Sequence, residues 1–319
     1  MRRIVIITLM LAGILVSCQR RPLLTADYAV ILNIEINKDV HNYEVEKDPS
    51  IMRCVFYDNE SGAFVSQAFL PPTGGQVSLV PDRTYDVLVY NFDTESTWLK
   101  EENWFHKIYA STSLIPDSYK TKLRSRTTDT DSKVDEENIA YDPDHLFVGR
   151  INDVFVPARS VEAPVLVLET KAETVVESWL LDVTEVTGVE NVGSIVGVVT
   201  GLVEHNKIGL GEKSAEFVSV YFDTPVIDEN GRVTARFNTF GYNPASGMDQ
   251  ILTLVFTDIA GNNHHFDFDI SDEFHNDDGD QHIVIETEDV HIPTPMTSGS
   301  GGFVPKVDEW EDVNTEIII

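Results

Sequence analysis

The chain has 319 residues, 42% of them hydrophobic and 9% aromatic, enough apolar material for one large packed domain or two ordinary ones. Fifty-three acidic residues against 23 Lys and Arg give a formal net charge of −30, which repels phosphate backbones and anionic headgroups and excludes nucleic acid as a partner. Only Cys18 and Cys54 are present, so a disulfide framework within the chain is excluded.

Residues 1–17 read as a signal peptide. Met1-Arg2-Arg3 carries positive charge, and the apolar run Ile4 to Val16 is too short to span a bilayer as a stable helix. It ends in Leu15-Val16-Ser17-Cys18, the bacterial lipobox order of Leu, two further residues of which the second is small, and Cys. A small residue before the cut fits the peptidase, and the Cys18 thiol takes a diacylglycerol before Cys18 becomes the new N-terminus. With a second acyl chain on the amine, Cys18 supplies the two-signal anchoring that stable membrane attachment requires. The expectation is an exported lipoprotein whose contact with the membrane is the lipid on Cys18. No later stretch reaches the roughly 18 apolar residues of a transmembrane helix.

Residues 18–26 form a lipidated leader, and strands follow. Tyr28 to Asn37 alternates in its second half. Ile51 to Tyr57 and Ala63 to Leu70 flank the turn Asp58 to Gly62, and Val77 to Val80 follows Pro71-Pro72-Thr73-Gly74-Gly75. Tyr85 to Asn91 sets Tyr85, Val87 and Val89 on one face and Asp86, Leu88 and Tyr90 on the other. Met52, Cys54 and Phe56 share a strand face, which predicts a buried and inert Cys54. From Lys120 to Asn138 apolar content almost vanishes, as in an exposed loop. Order resumes at Leu146 to Gly149 and Val154 to Pro157.

A domain boundary is expected at Ala158 to Glu162, dividing an N-terminal β-sandwich domain, residues 27–158, from a C-terminal one, residues 159–319. The second half opens with Ala163 to Thr170 and Thr174 to Thr184. Val192 to Leu202 is apolar but too interrupted by glycine for a helix. Phe217 to Thr224 and Gly231 to Phe240 follow, with a hairpin turn at Asp228 to Gly231. Ile251 to Asp258 and His264 to Ile270 flank a second turn, and His282 to Glu286 and Val313 to Ile319 complete the set. Short strands punctuated by Gly, Pro, Asn and Asp predict an all-β chain of two tandem sandwiches.

The chemistry-bearing patterns are weak. His264-His265, His275 and His282 with Asp277, Asp278 and Asp280 suggest a metal site, but adjacent histidines on a strand face opposite ways. Placing Gly279 at the sixth position of a calcium loop puts Phe274 first and Ile285 twelfth, and neither ligates calcium. There is no Gly-x-Ser-x-Gly and no His-Glu-x-x-His. No catalytic residue, metal or cofactor is expected, and the chain is not read as an enzyme. The cluster Trp98, Trp104, Phe105 and Tyr109 has two readings: aromatics tucked into the core, or platforms stacking on sugar faces, with Trp98, Trp104 and Tyr109 as ligand-binding residues.

Several stretches resemble the fimbrillin superfamily of Bacteroidota, particularly its lipid-anchored, anchor-like or accessory members. They are the lipobox at Cys18, Tyr85 to Asn91 running into Phe92-Asp93-Thr94-Glu95, Asp142-Pro143-Asp144-His145-Leu146-Phe147, Phe237-Asn238-Thr239-Phe240-Gly241, and Gly302 to Trp310. The resemblance implies two transthyretin-like Greek-key β-sandwich domains and an outer-membrane lipoprotein, acting as fimbrial (pilus) anchor or accessory subunit. In such fibres a strand of one subunit completes the sheet of the next. Anchor-like members keep their first strand, here Tyr28 to Asn37; Val313 to Ile319 is the candidate donor or closing strand. Other fimbrial subunits are then the expected partners, and a glycan-binding surface lipoprotein is the alternative. Gln19-Arg20-Arg21 replaces the acidic residues that often follow the lipidated Cys in surface-exported members, which leaves surface and periplasmic orientations both open.

Overall fold

The computed structural model describes residues 28–38, 48–123, 138–158, 165–275 and 281–295. Cys18 and the stretch 313–319 lie outside these residues. In chain order the first strands are β1 (Tyr28–Ile36), β2 (Met52–Asp58), β3 (Phe64–Leu70), β4 (Gly74–Leu79), β5 (Arg83–Asn91), β6 (Thr97–Lys100) and β7 (Tyr109–Thr112). Next come β8 (Ile139–Tyr141), β9 (Phe147–Val156), β10 (Leu166–Thr174), β11 (Glu177–Thr184), β12 (Val192–Val203), β13 (His205–Lys207) and β14 (Glu212–Lys213). The last are β15 (Phe217–Phe222), β16 (Val226–Ile227), β17 (Val233–Thr239), β18 (Ile251–Asp258), β19 (Asn263–Asp269) and β20 (His282–Glu286). The expected all-β class is observed. Among the described residues helix is confined to short pieces such as Asp117–Leu123, and none of them is long and apolar enough to cross a membrane.

A seven-stranded sheet runs β3-β2-β5-β9-β10-β1-β4. Its two edges, β3 and β4, are separated in the chain by only Pro71 to Thr73, so the sheet curls back on itself. Inside the curl lie Val30, Leu32, Met52, Phe56, Val87, Val89 and Val156. Cys54 is buried there too, and burial pushes its thiol up to about 12, so it stays protonated and unreactive. In the second half, β16-β17-β11-β20 faces β19-β18-β12-β15-β8 across a core of Trp179, Leu181, Leu254, Phe256, Phe222 and Phe237. The last two rings stack with centroids 4.5 Å apart.

One strand assignment is corrected. The stretch expected to open the second half is β10, and it pairs in parallel with β1, from Val30 opposite Leu166 to Ile36 opposite Ala172. It also pairs antiparallel with β9, and Leu168 and Ala172 belong to the first core. In exchange, β8 from the first half runs parallel to β15 and extends the second half's sheet. Each of these two sheets therefore draws strands from both sides of residue 158, while residues 159–162 of the expected boundary lie outside the described residues.

A fourth sheet, β14-β13-β7-β6, is built from both halves, through the pairing of His205 with Ser111 and Asn206 with Ala110. Beneath it Tyr57, Leu88 and Tyr90 meet Ile108, Val203, Ile208 and Phe240 in a shared core. The face of β5 carrying Leu88 and Tyr90 is therefore as buried as the face carrying Val87 and Val89.

Three of the motif stretches converge beside this core. The Asp144 carboxylate accepts the backbone N–H groups of Glu95, Ser96 and Thr97, while the Thr97 hydroxyl donates to Asp144 O at 3.0 Å. His145 Nε2 lies 2.7 Å from Ser178 Oγ, which donates to Asn238 Oδ1 at 2.6 Å; Asn238 Nδ2 in turn donates to Pro143 O at 3.0 Å. Asn91 Nδ2 donates to His145 O and Asn91 Oδ1 accepts from Phe147 N. These residues are alike in kind because they satisfy buried polar groups where the two halves join.

Candidate functional site: the first strand and an aromatic face

β1 occupies a groove that the rest of the fold leaves between β4 and β10. Its alternation places Tyr28, Val30, Leu32 and Ile34 in the core and Ala29, Ile31, Asn33 and Glu35 outward. One edge pairs antiparallel with β4, from Tyr28 opposite Leu79 to Asn33 opposite Gly74, and the other pairs with β10. The pairing continues beyond β4 through Ile34 N to Thr73 O at 3.2 Å and beyond β1 through Asn37 N to Ala172 O at 2.8 Å. Without β1, β4 and β10 would each present a row of unpaired backbone groups. The fit is tight enough to dictate sequence: Gly74 has φ +95°, and a Cβ there would stand 1.9 Å from Leu32 O.

The second feature is the outer face of the bridging sheet. Register puts Trp98 beside Ser111 and Ser111 beside His205, with Lys100 opposite Tyr109. These side chains share one face, because Leu99, Ala110 and Asn206 alternate onto the buried one. The Tyr109 and His205 rings pack with centroids 4.5 Å apart. Burial lowers the pKa of His205, with Glu216 and Glu204 pulling the other way. With Ser113, Leu114, Ala140, Glu204 and Glu216 as walls, this face floors an open cleft of about 790 Å³.

The structure divides the aromatic cluster read from the sequence. Trp98 is 55% exposed and lines the cleft with Tyr109. Trp104 is 42% exposed but is not part of the cleft lining; Lys107 Nζ lies 5.6 Å from its ring. Phe105 is 3% exposed and packs edge-on against Tyr57 at 5.5 Å. The core reading therefore holds for Phe105 and fails for both tryptophans. His205 and Glu216, which complete the cleft, come from the other half and carry no signal in sequence adjacent to Trp98.

The histidines considered for a metal do not gather. His264 Nε2 lies 3.1 Å from Asp258 Oδ2, and the His275 ring packs against Tyr242 at 5.0 Å. Asp277, Asp278 and Asp280 lie outside the described residues, among which no three His, Cys, Asp or Glu side chains form a metal-binding group.

Comparison with known proteins connects these features to a family. A family model described as a domain of unknown function, DUF5119, matches residues 17–223. A candidate fimbrium anchoring subunit, Fim4B, of Bacteroides ovatus is 30% identical over 226 residues, 71% of this chain. The match spans 61% of that relative's length. A solved candidate adhesin from the same species superposes with a TM-score of 0.62 at 22% identity, covering 85% of this chain and 94% of its own. The fimbrial anchor protein Mfa2 from Porphyromonas gingivalis gives a TM-score of 0.51 at 13% identity, over 82% and 90% of the two chains. These two likenesses show a shared fold.

Proposed function

Because the chain belongs to the DUF5119 family and has a relative named for fimbrium anchoring, we propose that it is a fimbrial anchor or accessory subunit. In this reading it sits in the cell envelope at the outer membrane, held by lipid on Cys18, and joins other fimbrial subunits by β-strand addition. The observation that carries the reading is β1 seated in its own groove. A subunit completed by its own strand has no vacancy at that position, so it ends a strand-exchange series there instead of continuing it. The lipid places that end at the membrane, and the −30 charge leaves the lipid as the attractive contact with an anionic bilayer.

Cells lacking the chain are expected to shed fimbriae into the medium. Complementation with wild type should restore attachment, and Cys18→Ser should not, because the protein then leaves the membrane fraction. Counting attached and shed fibres by electron microscopy reads the result. Fimbriae that stay attached in the absence of the chain would contradict the proposal.

A further inference from the structure

We propose that the outer face of the bridging sheet is a carbohydrate site that takes an uncharged pyranose oligosaccharide against Trp98. The site is independent of the anchoring role and would stand if that role failed.

Trp98 is the central feature of this face. Its strand neighbour Leu99 packs toward the shared core, yet the indole of Trp98 remains 55% exposed at the cleft. Leu114, also exposed, lines the same cleft, so Trp98 is part of an apolar patch instead of a lone exposed side chain. A second aromatic unit, Tyr109 packed on His205, lies in the same cleft, and both rings are fixed by strand register instead of loop geometry. Around them stand the hydroxyls of Ser111 and Ser113, the Lys100 ammonium and the carboxylates of Glu204 and Glu216. Rings for an apolar face, ringed by hydrogen-bonding groups, match a pyranose, which has a C–H face and a rim of hydroxyls. The volume of about 790 Å³ falls within the size range of small-ligand clefts.

Charge narrows the class. The lining carries two carboxylates and one ammonium, and the His205 imidazole, 4.0 Å from Glu216 Oε2, is desolvated and so disfavours protonation. The whole chain adds its net charge of −30. Uronates, sulfated and sialylated chains are repelled, and neutral sugars are not. A peptide strand would instead seek main-chain partners at the free edge of β6, whereas this face presents rings and hydroxyls.

The test is titration of the purified full chain by calorimetry and ligand-observed NMR. Probes are neutral hexasaccharides of glucose, mannose and N-acetylglucosamine, with oligogalacturonate and hyaluronan hexasaccharides as acidic counterparts. At least one neutral probe is expected to bind at roughly millimolar affinity or tighter. Trp98→Ala should weaken it roughly tenfold or more without moving the unfolding midpoint, while Trp104→Ala, at an exposed indole outside the cleft, should leave it unchanged. Four results would overturn the site: no neutral probe binding, acidic probes binding more tightly, the two variants weakening binding alike, or Trp98→Ala disrupting only copurification with another protein.

Discussion

Deleting residues 28–36 is expected to abolish cooperative folding of the first core. β1 buries Tyr28, Val30, Leu32 and Ile34, and four such side chains contribute roughly 6–12 kcal/mol by area. That is a ceiling, because the unfolded chain already hides some of this surface. It is nonetheless comparable to the whole stability of a typical domain, about 5–15 kcal/mol. The loss is compounded on both sides, since β4 and β10 each lose a full ladder of partners. A peptide of sequence Tyr28 to Asn37 added in excess should restore the transition by mass action. A peptide with the apolar residues moved one place along should not, because a one-residue slip turns the apolar set to solvent. Denaturant unfolding followed by circular dichroism, with and without peptide, measures both. An unchanged midpoint in the deletion would show that β1 is not integral to the fold.

Asp142→Asn is expected to stabilise the chain above neutral pH and to leave it nearly unchanged in acid. The Asp142 carboxyl is pushed up to about 7, first by burial and then by the nearby carboxylates of Asp223 and Asp144. His145, three residues on, is pushed down to about 4 by burial, with Asp144 acting in the other direction. Between 3.8 and about 7 the folded chain keeps a proton on Asp142 that the unfolded chain has released, so this contribution is lost as pH rises through 7. Between about 4 and 6.5 the unfolded chain protonates His145 and the folded chain does not, so that contribution is lost as pH falls through the window. The two oppose one another in wild type.

Removing the charge at Asp142 should uncover the His145 limb alone. The pKa displacement corresponds to about 4 kcal/mol at most. Solvent reaches part of Asp142, so a gain of roughly 1–3 kcal/mol at pH 8 is the expected result. Stability should then fall steeply from pH 6.5 to 4.5. Thermal unfolding of both proteins across pH 4.5 to 8 reads this directly, and equal destabilisation at both ends would refute the assignment.

Much of the strand pattern was legible because burial on one face writes a period of two into the sequence. β1 is legible nearly to the residue for that reason, whereas β18, buried on both faces, is legible as a near-continuous apolar run between turn residues. β12 was legible only as apolar and rich in glycine. Its glycines are packing features: the Phe222 ring lies where a Cβ of Gly197 would be, 2.1 Å away, and Gly201 has φ +70° at a register shift in the pairing with β15. β6 and β7, four residues each, carry too little pattern to stand out, since β7 is held by β13 some 95 residues away and β6 joins the sheet only through β7. No local pattern encodes a partner so distant, and the same gap hid the parallel pairing of β10 with β1. The aromatic cluster was visible as a composition, but which ring faced the core depended on that unseen sheet. The reading of Cys18 rests on a contiguous motif alone, and Cys18 lies outside the described residues.

The motif stretches carried more than a resemblance. Asn91, Asp144, His145 and Asn238 are polar residues that a sequence reading has no reason to join, and they meet in one hydrogen-bonded seam. Their role is to fix one half against the other, which holds the β1 groove and the aromatic cleft in a single frame.

The most direct test of the anchoring account locks β1 in place. Ile31 and Gln76 are cross-strand neighbours with outward-facing side chains, at a separation that suits a disulfide. Ile31→Cys with Gln76→Cys would tie β1 to β4, and the remaining body cysteine, Cys54, is too buried to compete. The measurement is the number of fimbriae retained on cells carrying the oxidised pair, compared with the same cells after reduction. Full retention in the oxidised state is the predicted result, since a self-completed subunit never gives up its first strand. Loss of fimbriae on oxidation, restored by reduction, would mean that the strand must leave its groove and would contradict the account.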